Sequence, residues 1–180
     1  MLEEKLQQIR VLLLDVDGVL TSGRILYFAG GDEAKTFDVK DGLGIRMVRE
    51  GGIRVGLISG RKSAAVDRRA AELGIDYCHT GVKDKQALLA SILAQAGCSP
   101  AQTAFVGDDL VDLAIMGQVG LAVAVADAHE VVKQHADLVT KQPGGCGAVR
   151  EVCERILSAK GLWEPIVSRW LNRTQSPKEP

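Results

Sequence analysis

A chain of 180 residues with 46% apolar and 25% charged positions is long enough for one complete core and too apolar to stay disordered. Its formal net charge of −1, with no basic block longer than a pair such as Arg68–Arg69, argues against a nucleic-acid surface and leaves room only for a local anion pocket. Aromatic residues make up only 4%, so the core must rest on Val, Leu, Ile and Ala.

The opening segment MLEEKLQQIR is charged and lacks the apolar stretch of a signal peptide. No apolar run approaches the roughly 20 residues that span a bilayer, so the chain reads as cytoplasmic. Residues 11–15, VLLLD, form the first predicted strand, an apolar run that ends on a carboxylate. RILYFAGGDEAKTFDVK, residues 24–40, has two short alternating runs around AGGDE and reads as a β-hairpin projecting from the sheet. A helix over 41–52, a strand over 54–59 and a helix over 63–74 follow, with Gly at the helix stops. Then come a helix over 84–97, strands over 104–108 and 121–125, and helices over 127–136 and 147–161.

Alternating strands and helices predict an α/β fold with a doubly wound, mainly parallel sheet and helices on both faces. One domain is expected over 1–161, followed by a tail over 162–180 that carries Trp163 and Trp170 and then turns polar. The tail is expected to be ordered near its start, against a neighbouring subunit, with the tryptophans as packing. Cys78, Cys98, Cys146 and Cys153 show no C-x-x-C spacing and read as free buried thiols of a reducing compartment. His79, His129 and His135 read as structural or exposed.

Asp15, Ser59 and Asp108 each end a predicted strand, and in a parallel sheet those ends share one edge. Asp17 lies two residues beyond Asp15, on the same side of an extended segment, and Gly18 permits a sharp exit. GDDLVD, residues 107–112, brings Asp108, Asp109 and Asp112 to the same edge. Such clusters repel unless a cation lies between them, and oxygen-only ligands favour a hard ion such as Mg²⁺. Ser59, with Gly60 at an expected helix start, supplies a hydroxyl and free N–H groups for phosphate oxygens. Lys85, with Lys83 as the weaker candidate, opens a helix and brings a point charge. In this reading Asp15 is the nucleophile, and Asp17 protonates the leaving alkoxide and then deprotonates the attacking water.

DVDGVLT, SGR, Lys85 and GDDLVD, in this order and context, resemble the four motifs of the haloacid dehalogenase superfamily of phosphotransferases. A calcium loop is disfavoured because Leu20 and Leu26 stand where it needs glycine and an acid. A receiver domain would lack the D-x-D pair. Neither the stretch between Asp17 and Ser59 nor that between Lys85 and Asp108 has room for a cap domain, so a capless site walled by another subunit is expected. The hairpin is the candidate contact.

Together with the hairpin, the segments FDVKDGLGIR, ADAH and GGCGAVREVCERIL narrow the resemblance to phosphatases of 3-deoxy-D-manno-octulosonate 8-phosphate, over about residues 8–160. That resemblance implies Mg²⁺-dependent homotetramers serving lipopolysaccharide core synthesis in Gram-negative bacteria. It also implies magnesium at Asp15, Asp108 and the Asp17 carbonyl, with Asp109 and Asp112 orienting Lys85 and the metal waters. Substrate contacts are implied at Asp17, Asp38, Val39, Lys40, Asp41, Gly42, Arg46, Arg61, Arg69 and Lys85. Cys146 stands where the family pattern has arginine, which leaves Arg150 as the nearest substitute. A phosphatase for a nine-carbon sugar acid 9-phosphate and a non-catalytic oligomeric scaffold are the competing readings.

Overall fold

Val11–Leu14 form β1, and all four aliphatic side chains are enclosed. The computed structural model describes residues 1–31 and 33–173, so the end of the expected tail lies outside the described residues. The chain begins with α1 (Leu2–Gln8) and β1, then the short strands β2 (Leu26–Tyr27) and β3 (Glu33–Ala34). α2 (Val39–Glu50), β4 (Arg54–Ile58), α3 (Ala64–Leu73) and β5 (Tyr77–His79) come next. α4 (Lys85–Ala96) leads to β6 (Thr103–Gly107), α5 (Leu113–Met116) and β7 (Leu121–Ala124). α6 (Glu130–Gln134), β8 (Leu138–Val139), α7 (Ala148–Ala159) and α8 (Trp163–Arg173) complete the chain.

The main sheet has the order β5-β4-β1-β6-β7-β8, and every pair in it is parallel. The chain builds outward from β1 on one side, then crosses back to build the other side from β6. The strand order therefore reverses between β1 and β6, where open parallel sheets bind ligands beyond their carboxyl ends. Fully buried parallel strands read as continuous apolar runs, and β1 and β7 do so, as do β4 after Arg54 and β6 after Thr103. Each enclosed Leu of β1 contributes about 1.5–3 kcal/mol relative to exposure.

Several elements differ from the expectation. α1, α5, β5 and β8 form where no element was expected, because they are short and carry no strong periodicity. α6 is shorter than residues 127–136, its start fixed by His129 at the N-cap. The hairpin is a separate two-stranded antiparallel sheet, and α2 begins directly after Asp38. The tail opens with α8, whose Ile166 packs into the core. Pro165 falls in its first turn, where a missing N–H costs nothing. Of the four free cysteines only Cys153 is buried; Cys78 and Cys146 are exposed, one on a sheet edge and one in the loop before α7.

Packing of α2 against α7 is fixed by a buried charge. Asp41, in the first turn of α2, is enclosed and accepts N–H bonds from Gly147 at 3.3 Å and Arg150 at 2.7 Å. α7 has Gly147 at its N-cap, with no side chain to cap it, so a carboxylate from α2 satisfies its first turn. Burial pushes the Asp41 carboxyl up, and the N–H donors of Arg150 and Gly147 offset that only in part. Replacing Asp41 with Ala strands these enclosed donors at a cost of about 2 kcal/mol. The melting temperature of Asp41→Ala, followed by circular dichroism, is expected to fall by roughly 4–8 °C; an unchanged value would remove Asp41 from the account of the α2–α7 contact.

Candidate active site

Asp15, Ser59 and Asp108 each follow the last residue of β1, β4 or β6. The ladder reaches one residue further than the strands: Asp15 N–H donates to the Val106 carbonyl at 3.0 Å and Ser59 N–H to the His79 carbonyl at 2.9 Å. Those bonds fix the backbone of Asp15 and Ser59 as firmly as a strand interior. Beyond Asp15 the chain turns instead of staying extended, with the Val16 carbonyl accepting from Val19, Leu20 and Thr21. Asp15 and Asp17 nevertheless line one cavity of about 640 Å³. It is also lined by Ser59, Arg61, Lys83, Lys85, Asp108 and Asp109.

Carboxylate oxygens of Asp15, Asp108 and Asp112 lie within 4.8 Å of one another. Lys85 Nζ donates to Asp15 Oδ1 at 2.6 Å and to Asp112 Oδ1 at 2.7 Å, with only 9% of its side chain exposed. Lys85 is the first residue of α4, and Asp84 caps that helix through the Ala87 N–H, which fixes where the lysine starts. Asp112 is fully enclosed and accepts N–H bonds from Asp108 at 3.0 Å and Asp109 at 3.4 Å, so it holds the loop that presents Asp108. Asp109 caps the single 3₁₀ turn Leu110–Asp112, where its carboxylate accepts from Leu110 N–H at 2.7 Å. Gly18, at φ +98, makes this closeness possible: a Cβ there would stand 1.9 Å from Asp108 Oδ2.

One lysine faces three carboxylates, and the imbalance shows in their protonation. Burial first, then the charge of Asp112, pushes Asp15 up to about 7, against the opposing pull of Lys85. Burial, then Asp15 and Asp112, pushes Asp108 up to about 7. Burial pulls Lys85 down, but the two carboxylates outweigh it and raise it overall. Three carboxylates facing one ammonium, all oxygen donors, fit a hard divalent cation such as Mg²⁺.

The 59–61 turn departs from its expected form. α3 starts at Ala64, so Gly60 lies in a loop before the helix, and the Ser59 hydroxyl accepts from Arg61 N–H at 3.1 Å. Arg61 reaches the hairpin, donating to Tyr27 Oη at 3.0 Å and Glu33 Oε2 at 3.2 Å. Among the expected substrate contacts, Asp38–Gly42, Arg46 and Arg69 are not brought to this cavity. Asp38 caps α2 through the Lys40 N–H, and Val39 and Lys40 are exposed. Arg69 lies 5.8 Å from the Phe37 ring and against Gly42, while Arg46 donates to the Glu72 carbonyl at 3.3 Å. Gly42, Arg46 and Arg69 gather where α2 meets α3, while Lys40 and Asp41 lie on the α7 side.

Cys146 lines a separate cavity of about 1020 Å³ with Lys40, Arg150 and Arg155. Arg150, in the same cavity, pairs with Glu154 and stands 5.7 Å from the Trp163 ring. His129 caps α6 through its ring nitrogen, and its N–H donates to the Asp108 carbonyl at 2.8 Å. Lys35, which the sequence reading passed over, pairs with Asp17 from the hairpin.

A family model described as haloacid dehalogenase-like hydrolase matches residues 79–151. Over 157 residues the chain is 46% identical to the 3-deoxy-D-manno-octulosonate 8-phosphate phosphatase KdsC of Escherichia coli K12, covering 87% of this chain and 84% of that protein. The crystal structure of the phosphatase of that name from Yersinia pestis superposes with a TM-score of 0.89 at 44% identity, covering 90% of this chain and 88% of the other. The Moraxella catarrhalis enzyme, solved with magnesium, phosphate and KDO, superposes with a TM-score of 0.91 at 39% identity, covering 93% and 97%.

The raised Asp15 and Asp108 carboxyls set the direction of pH dependence without metal. Both have ordinary values near 3.8, so from about pH 4 to 7 the unfolded chain ionises while the folded site resists. Stability from these groups is therefore present below that window and lost as pH rises through it. Differential scanning fluorimetry is expected to show Mg²⁺ raising the melting temperature more at pH 8 than at pH 5, where protons compete with the ion. A larger shift at pH 5 would contradict the assignment of these carboxylates as ligands.

Proposed function

The chain belongs to the 3-deoxy-D-manno-octulosonate 8-phosphate phosphatases of the haloacid dehalogenase-like hydrolases, and we propose that it hydrolyses that sugar acid phosphate with Mg²⁺. The observation that carries this reading is Lys85 clamped between Asp15 and Asp112, with Asp108 beside them, at the switch point of the sheet. Lys85 fixes Asp15 in one orientation and neutralises part of its surroundings. An Asp15 oxygen attacks phosphorus, the bond from phosphorus to the sugar oxygen breaks, and the electron pair leaves on that oxygen. Asp17 gives the departing oxygen a proton, then takes one from the water that opens the aspartyl phosphate. Ser59 and Lys85 hold the phosphoryl oxygens.

Asp15, Asp108 and the Asp17 carbonyl would hold Mg²⁺, which supplies charge neutralisation for the phosphoryl group when bound. Asp112 stands behind them as a support, holding Lys85 and the loop of Asp108 and Asp109. Arg61, in the cavity wall, takes the carboxylate or phosphate of the substrate. Val39, Lys40 and Arg46, exposed outside this chain's own cavity, are candidates for the wall between subunits, whereas Asp41 and Gly42 are enclosed within this chain.

A homotetramer in the cytoplasm is part of this proposal, as is a place in lipopolysaccharide core synthesis. Leu26, Tyr27 and Phe28 at the hairpin are 59%, 64% and 54% exposed, a consecutive apolar patch of the kind that oligomerisation covers. No helix among the described residues is long and apolar enough to cross a membrane.

Phosphate release from 3-deoxy-D-manno-octulosonate 8-phosphate is expected to exceed that from N-acetylneuraminate 9-phosphate. Chelation or Asp15→Asn is expected to bring release to background. Equal or absent release on both substrates would refute the substrate assignment, and activity retained in Asp15→Asn would refute the nucleophile. Sedimentation is expected to give a tetramer that Phe28→Asp weakens; a monomeric wild type would remove the shared wall.

A further inference from the structure

Glu33, in β3, and Lys35, one residue beyond that strand, are two charged side chains of the hairpin segment. Each pairs with a residue that lines the cavity. Glu33 accepts from Arg61 at 3.2 Å, and Lys35 pairs with Asp17 Oδ1. The Lys35 side chain is 0% exposed, against 20% for Asp17. Lysine is almost never enclosed unless paired, because losing water costs its charge heavily. A hairpin with Tyr27 already bonded to Arg61 needs no enclosed ammonium to stay attached. The charge at position 35 serves its partner instead.

Asp17 needs such a partner. It sits in the turn after β1, beyond the last ladder bond at Asp15, so the sheet does not fix its side chain. A carboxylate that must deliver a proton to one oxygen has to be held to within a hydrogen-bond length of it. Lys35 engages Oδ1 and leaves Oδ2 to carry the transferred proton.

We propose that Lys35 is a positioning residue, which holds the Asp17 carboxyl in the orientation for proton transfer to the leaving group. The proposal rests on the reading of Asp17 as the acid and base. In the first step the Asp15–phosphorus bond forms, the bond to the leaving oxygen breaks, and the Oδ2 proton moves to that oxygen. Lys35 keeps its three protons throughout and touches no reacting atom.

Leaving groups separate this role from a structural one. A sugar alkoxide needs a proton to depart, whereas p-nitrophenolate leaves without one. The measurement is kcat/KM for the sugar acid phosphate and for p-nitrophenyl phosphate, on the same preparation of each variant. The ratio of the two cancels any loss of folded enzyme. Lys35→Met is expected to lower the sugar phosphate value by about ten- to a hundredfold and the p-nitrophenyl value by less than about threefold, a part of the effect general acids supply. An equal fall on both substrates would overturn the proposal. Asp17→Asn is the companion: a selective loss there with an equal loss in Lys35→Met overturns only the role of Lys35. An equal loss in Asp17→Asn overturns the acid–base reading itself.

Discussion

Three carboxylates forced together against one lysine are the constraint on which the rest of the site depends. Asp15, Asp108 and Asp112 would separate if their backbones were free, since burial and mutual charge raise Asp15 and Asp108 far above ordinary carboxyls. They stay because each is tied to something stiff. Asp15 is held by the β1–β6 ladder, Asp108 and Asp109 by N–H bonds to Asp112, and Asp112 by Lys85 at the first position of α4. The energy stored in that crowding comes from the aliphatic strands beneath it, and a divalent cation relieves it. Binding and catalysis thus follow from the same imbalance.

Glycines set how close the parts may come. Gly18 has no Cβ to strike Asp108, and Gly144 packs its backbone onto the Gly18 carbonyl, where a Cβ would stand 1.7 Å away. Gly145 N–H donates to the Val19 carbonyl at 2.9 Å, and Gly144 N–H to Asp127 Oδ1 at 2.8 Å. The loop before α7 therefore clasps the loop after β1, and Asp41 anchors the start of α7 to α2. A chain of contacts links the metal-facing turn to the packing of α2 on α7. Changes far from Asp15 in sequence can loosen it.

The strand ends were legible because four aliphatics followed by an acid admit few explanations, and a parallel sheet sends every such end to one edge. Lys85 was legible from its place at a helix start. Lys35 was not: nothing in the alternating pattern of residues 24–40 shows which way its charges turn, and only the folded chain shows this one on Asp17. Asp41 was read with its neighbours as a substrate contact, because nothing in the sequence shows that α7 lacks a cap of its own. Arg46 and Arg69 carry charges suited to an anion, yet the packing of α2 on α3 takes them elsewhere. Sequence placed residues on elements; it could not say which face of a long side chain the tertiary packing would claim.

The proposed mechanism turns on an Asp15 oxygen receiving the phosphoryl group. Rapid acid quench during turnover of radiolabelled sugar acid phosphate, followed by peptide mapping, tests this most directly. The account predicts an acid-stable, base-labile label on the peptide containing Asp15, and none in Asp15→Asn. Turnover at full rate with no labelled peptide, or label on another residue, would contradict it.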